Sequence, residues 1–256
     1  MTLQENSTGS EVKILQRQLS SLGYNITTID GNFGVMTNEA VIKFQTDHDL
    51  TGDGIVGDAT WAILDSLVPI LADVYHGDSI DYLNVSKRVQ GLIIKATEDN
   101  NDIDPHLGQN ISGAKSIGVL QLFYHFVGTN GTAQEQYDNY KNALDAYGIT
   151  KFRPIFDVEA PGITAELVQQ LIALGQADQG LRPLIYITHS YWKEQLGGCT
   201  LEADIWLASW QFAKPTGKYL FWQWDDLTYP QGLSSCDINL FCGTREQLIA
   251  YANFTT

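Results

Sequence analysis

The sequence predicts an α/β protein: an irregular, partly incomplete β/α barrel preceded by a small three-helix domain. Three observations point there. A D-G-x-[FV]-G motif occurs twice within residues 1–66, among apolar residues at helical spacing. From Val68 onward, eight short apolar runs alternate with helical or looped stretches, the pattern of a largely parallel sheet. The remaining stretch of about 190 residues is shorter than the about 250 of a complete eightfold barrel, so some crossovers must be loops.

In order along the chain, Val12, Leu15, Leu19 and Leu22 form a helical stripe that Gly23 is placed to stop. Asp30-Gly31-Asn32-Phe33-Gly34 and Asp53-Gly54-Ile55-Val56-Gly57 are the two motif copies. Their glycines suit turns that need positive φ, and each Asp can accept a hydrogen bond from its own backbone two residues on. Ala40, Val41 and Phe44 mark a second helix that Thr37 is expected to cap, and a short third helix is expected at 60–64. A bundle of this size is marginal but able to fold alone. The eight apolar runs are 70–75, 91–97, 118–126, 152–159, 183–188, 205–210, 219–224 and 237–241, and the clearest crossover helices are 133–147 and 164–177. Short loops with Gly and Pro join the later runs, which predicts an antiparallel portion. Almost no Pro- or Ser-rich spacer separates Asp65 from Val68, so residues 1–66 and 67–256 are expected to pack together.

The composition excludes several classes. With 44% hydrophobic and 18% charged residues, the chain can bury a core and has little sign of disorder. The formal net charge is −15 and the pI about 4.5. Nine acidic and three basic residues lie in 1–66, with 21 and 12 in the rest, so acidity is general to both parts. Such a surface disfavours nucleic acid and anionic membranes, which are held by clustered Lys and Arg. The longest apolar run, 67–74, is broken by Asp73 and is far short of the about 20 residues that span a bilayer. No basic start followed by an apolar stretch opens the chain, so no secretory signal is expected and residence in a cytoplasm follows. Cys199, Cys236 and Cys242 are too few for a disulfide framework or a metal site and read as idle thiols. A monomer without cofactor or metal is expected.

Barrel enzymes place reacting groups at the C-terminal ends of their strands. Those ends carry Asp73, Glu98, Tyr124-His125, Asp157 and Glu159, His189, Trp210, and Trp224-Asp225-Asp226. Asp157 and Glu159, two apart on a strand, leave the same face with Cα atoms roughly 6.5 to 7 Å apart. Ionised together they repel, which raises one pKa and sets an acid beside a base, the requirement of glycoside hydrolysis. On residue type alone the pair is equally able to bind a divalent cation or join a salt-bridge network. A serine nucleophile has no G-x-S-x-G to sit in, and no phosphate-cradling loop occurs. His125 and His189 have ordinary readings as packing or capping residues.

Residues 1–66 resemble the three-helix peptidoglycan-binding module of many cell-wall enzymes, through Gly9-Ser10-Glu11-Val12, Leu15-Gln16, Leu22-Gly23-Tyr24, the two D-G-x-[FV]-G copies, Phe44-Gln45 and Thr60-Trp61. From residue 68 the chain resembles the glycoside hydrolase family 25 lysozymes, through Ala72-Asp73-Val74, Lys95-Ala96-Thr97-Glu98, Tyr124-His125-Phe126, Asp157-Val158-Glu159, Ile205-Trp206-Leu207-Ala208, Trp222-Gln223-Trp224 and Asp237-Ile238-Asn239, in that order. These are N-acetylmuramidases with an irregular β/α (TIM-like) barrel. The resemblance implies bacterial peptidoglycan as substrate and partner, Glu159 as catalytic acid, and Asp157 and Asp73 beside it. It also implies Asp237 on the far side of an acidic groove, and Tyr124 and Trp210 around the scissile sugar. Trp224 is expected to contact substrate as well. Tyr75 departs from the family, which usually has Ser there, and is a bulky residue expected at the groove. The implied mechanism uses the substrate's own N-acetyl carbonyl as nucleophile, oriented by Asp157. A carboxylate nucleophile, or inversion through a water held by Asp73, stays open.

The module-first order and the missing signal resemble phage lysins, which accumulate in the host cytoplasm. Two alternatives stand beside this reading. One is an autolysin or glucosaminidase cutting the other glycosidic bond. The other is a non-catalytic wall-binding protein, against which stands the cost of grouping three carboxylates unpaired by Arg or Lys.

Overall fold

The computed structural model describes residues 2–210, 215–225 and 230–252. Helices α1 (Ser10–Ser21), α2 (Val35–Asp47) and α3 (Asp58–Leu67) close on a core that includes Leu15, Leu19, Phe33, Phe44 and Trp61. The two motif copies are built alike around a buried glutamine. Gln16 Nε2 donates to Asp30 Oδ1 (2.9 Å), the Asn32 carbonyl and Thr37 Oγ1, while its Oε1 accepts from Gly31 N–H. Gln45 repeats the set with Asp53 Oδ1 (3.0 Å), the Ile55 carbonyl, Thr60 Oγ1 and Gly54 N–H. Each Asp also accepts from the N–H two residues on, at 2.9 Å. Thr37 is not the cap of α2. Gly34 holds that position, and the Thr37 hydroxyl, inside the first turn, is taken up by Gln16.

Beyond α3 the elements are β1 (Ile70–Val74), β2 (Ser79–Ile80), β3 (Val89–Glu98), β4 (Asp102–Ile103), α4 (Leu107–Ile117), β5 (Leu120–Phe126), α5 (Ala133–Asp145), β6 (Ile155–Asp157), α6 (Ala165–Gln179), β7 (Leu184–Thr188), α7 (His189–Glu194), β8 (Asp204–Ala208), β9 (Phe221–Asp225), β10 (Leu233–Ser234), β11 (Asp237–Phe241) and α8 (Arg245–Ala252). Strands β1, β3, β5, β6, β7, β8, β9 and β11 pair in that order, and β11 pairs back to β1, so the ring closes. Each predicted run supplies one of these strands. Neighbours from β1 to β9 are parallel, whereas β11 runs antiparallel to both β9 and β1. What is incomplete is the helical layer: the described part of the β8–β9 crossover holds no helix.

Period-2 alternation sorts the strand residues. Leu71, Ile93, Leu122, Ile155, Leu184 and Phe221 fill the lower barrel interior, and Leu248 and Ala252 of α8 pack against them. Ala72, Ile94, Phe123, Phe156, Ile185 and Trp222 face outward into a separate core. On β9 the outward residues are Trp222 and Trp224, and α1 covers them: the Arg17 guanidinium lies 4.7 Å from the centroid of each ring. The two parts are further tied by Gln18 Nε2 donating to the Val68 carbonyl (2.8 Å), Gln90 Nε2 donating to the Asp65 carbonyl (2.8 Å), and an Asp65–Arg88 ion pair. Arg88 also lies over Trp61 at 4.9 Å. The small bundle therefore packs firmly on the barrel, against the outer face of β9. Among the described residues, no helix is long and apolar enough to cross a membrane, and none of the three cysteines is in a disulfide.

Candidate active site

The C-terminal ends of the parallel strands surround a cavity of about 200 Å³. Asp73 of β1, Tyr124 of β5, Asp157 at the end of β6, Glu159 two residues on, Asp237 of β11 and Tyr75 all line it. Val158, between the two acids, is buried in the outer core, so the acids share the inward face as the Asp-x-Glu spacing predicts.

Two expected substrate contacts fall elsewhere. Trp224 is buried outside the barrel beneath Arg17, because the strand's alternation turns Gln223 inward in its place. Trp210 lies two residues past β8 and is 53% exposed, but it is not among the residues lining the cavity. Of the strand-end residues named above, the Asp225 side chain and Asp226 lie outside the described residues.

Amides and ring donors order the carboxylates. Gln223 Nε2 donates to both Asp73 Oδ2 (3.1 Å) and Asp237 Oδ2 (3.0 Å), and Asn239 Nδ2 donates to Asp73 Oδ2 (2.7 Å). Each amide is held in orientation from behind: Tyr186 Oη donates to Gln223 Oε1 (2.9 Å) and Trp206 Nε1 donates to Asn239 Oδ1 (2.7 Å). Burial, and next the charge of Asp237, push the Asp73 carboxyl well above the usual carboxylate range, against the two amide donors. Asp157 is also pushed well up, by burial first and then by the charges of Glu159 and Asp73, and its buried Oδ1 has no hydrogen-bond partner. Glu159, at the cavity mouth, is raised by burial while Lys95 pulls it down. In a cluster of this kind the carboxyls keep their protons to higher pH than isolated carboxylates do, which sets an acid beside a base.

Lys95 corrects the expectation that the carboxylates lack a basic partner. It lines the cavity from β3, its Nζ is 2.6 Å from Glu98 Oε2, and it lies 4.7 Å over the Phe126 ring. Its charge moderates the acids without neutralising all of them. Lys95, Gln223, Tyr186, Trp206 and Asn239 are the polar and aromatic residues that reading strand ends for carboxylates overlooks. Lys95 and Gln223 were open to discovery from strand alternation, since a polar residue inside an apolar strand run needs a partner.

His125 points outward from β5, fully buried between Thr97 Oγ1 (2.9 Å) and Gln136 Oε1 (3.1 Å), and burial lowers its pKa to about 4. It is a neutral packing residue, and His189 begins α7. Among the described residues, no group of three or more His, Cys, Asp or Glu is arranged to hold a metal ion.

The family described as Glycosyl hydrolases family 25 matches residues 72–233, and the putative peptidoglycan binding domain matches residues 8–64. The uncharacterized protein YegX of Escherichia coli (strain K12) is 27% identical over 191 residues, covering 69% of this chain and 70% of its own length. The autolytic lysozyme of Clostridium acetobutylicum is 25% identical over 178 residues, covering 66% of this chain and 54% of its own. The crystal structure of the bacterial lysozyme from Streptomyces coelicolor superposes with a TM-score of 0.62 at 25% identity, over 73% of this chain and 98% of that chain.

Proposed function

The chain belongs to glycosyl hydrolase family 25, as a lysozyme-type peptidoglycan hydrolase with a peptidoglycan-binding domain, and from that premise we propose that it cleaves the β-1,4 bond from N-acetylmuramic acid to N-acetylglucosamine. The observation that carries the reading is the convergence of Asp73, Asp157, Glu159 and Asp237 on one cavity with Lys95 as a moderating cation. Burial raises the proton affinity of both Asp157 and Glu159, Asp157 the more so for being deeper, and the pair shares one proton. An N-acetyl N–H donated to Asp157 stabilises its anion and leaves the shared proton on Glu159. Glu159 then protonates the leaving oxygen while the N-acetyl carbonyl, oriented by Asp157, attacks the anomeric carbon. Substrate-assisted hydrolysis of this kind is a recognised exception to the two-carboxylate scheme. Glu159 returns as the base that activates water, and Asp73 and Asp237, held by Gln223, face the developing positive charge.

Purified cell walls provide the test. Wild type is expected to clear them, and Glu159→Gln to lose about 10²- to 10⁴-fold in rate, the usual share of a general acid. Equal clearing by both proteins removes Glu159 from the chemistry. The first product should retain its anomeric configuration; an inverted product rules out the N-acetyl route. The mass of the reducing-end sugar decides between this bond and the one a glucosaminidase cuts.

We further propose the role of a phage lysin, supported by the module-first order. Cytoplasmic expression should lyse the cell only when a separate membrane pore is supplied, and lysis without one argues against it.

A further inference from the structure

On its β3 side the catalytic cavity is walled by Lys95. Lys95 lines both it and a second cavity of about 270 Å³, whose walls include His76, Glu98, Asp102 and Asp104. Ile103 belongs to that second cavity and to a third, of about 760 Å³, which follows α5 from Glu135 to Tyr147. The three cavities thus adjoin in a row, a groove that starts at the cleft, crosses the β3–β4 hairpin and continues between α5 and the segment from β4 to α4, where Asn139 donates to the Asp102 carbonyl.

The groove has an apolar floor and an acidic rim. Ile103 is 55% exposed and Tyr147 51% exposed, with Ala143 and Ala146 between them. Tyr147 rests on Gly108, where a Cβ would come within 2.7 Å of its hydroxyl. The basic groups of the second cavity already have carboxylate partners: Lys95 faces Glu98 at 2.6 Å and His76 faces Asp104 at 2.9 Å. Asp102, Glu135 and Asp138 thus leave the rim negative towards a ligand.

We propose that this groove seats the peptide attached to the muramyl sugar in the cleft, with small side chains on the Ile103–Tyr147 floor and a free ammonium against Asp138 and Glu135. The inference rests on the peptidoglycan-hydrolase reading. A glycan strand carries no cation to match the rim, whereas a short peptide branching from the sugar's lactyl group departs sideways and, where it includes a diamino acid, carries one. Because Lys95 is common to the cleft and the next cavity, a branch leaving the reacting sugar on the β3 side meets the groove directly.

The test compares soluble glycan fragments bearing uncross-linked peptides with free ammonium groups, the same fragments N-acetylated, and fragments stripped of peptide. Asp138→Lys and Tyr147→Ser should each raise KM for the free-ammonium fragments about fivefold, the loss of one partly exposed contact, with kcat unchanged. Neither should alter kinetics on stripped fragments. Acetylation should raise KM for wild type and cancel the difference between wild type and Asp138→Lys. An equal effect on peptide-bearing and stripped fragments means a glycan track and overturns the proposal, as does no effect on either. Binding of the three fragments to Glu159→Gln protein reads the same contrast without turnover. Failure of wild type to cut any fragment would therefore count against the hydrolase reading alone.

Discussion

Replacing Gln223 by leucine removes one amide that donates to two carboxylates, at 3.1 Å to Asp73 and 3.0 Å to Asp237, and leaves the Tyr186 hydroxyl without its 2.9 Å acceptor. A hydrogen bond to a charged group is worth about 1.5–3 kcal/mol, so the two together amount to about 3–6 kcal/mol, partly offset by the apolar burial that leucine gains. The expected net loss at neutral pH is about 3–5 kcal/mol, or roughly 10 °C in Tm for a chain of this size. The pH dependence gives the sharper test. Asp73 has a raised pKa in the folded state, so its ionisation costs stability as pH rises through that value. Without the amide the pKa rises further, and the deficit of Gln223→Leu relative to wild type is largest at pH 7.5 and shrinks towards pH 4, where the carboxyl is protonated in both. Urea unfolding at the two pH values measures it. A loss that is the same at both, or one below about 1 kcal/mol at pH 7.5, refutes the clamp.

Two further outcomes follow from the same geometry. Lys95 lowers the proton affinity of Asp157 and Glu159, so Lys95→Met should let both keep their protons to higher pH and move the alkaline limb of kcat/KM upward; a downward shift contradicts that electrostatic role. Arg17→Ala should destabilise the whole protein by about 2–4 kcal/mol, through two lost cation–π contacts and the exposed faces of Trp222 and Trp224. Calorimetry showing an unchanged barrel transition would mean that the bundle does not support the barrel wall.

Much of the site was legible because carboxylates at strand ends are conspicuous: Asp73, Asp157, Glu159 and Asp237 meet in one cavity. Trp224 was misplaced because the Trp-Gln-Trp triplet satisfies either phase of a strand, and a one-residue slip exchanges the two faces. Its true phase is set by Trp222 and Trp224 meeting Arg17 from a segment more than 200 residues earlier. Thr37 was misread as a cap because the partner of its hydroxyl, Gln16, lies in another helix. Helices α4 and α8 were not foreseen, since α8 carries only a short apolar pattern that gains meaning as a plug under the barrel.

The sequence alone determined the eight strands of the ring, the three helices of the bundle and the crossover helices α5 and α6, because local periodicity, turn glycines and the duplicated D-G motif depend on neighbours within a few residues. It also determined which carboxylates are available and that both parts of the chain are acidic. The short later loops announce an antiparallel portion, but only the tertiary structure decided that β11 is the antiparallel strand and that it closes the ring on β1. It alone decided that the bundle covers part of the barrel wall, and that amides held by Tyr186 and Trp206 order the acids. Those features arise from contacts between residues far apart in sequence, where burial and charge act through space rather than along the chain.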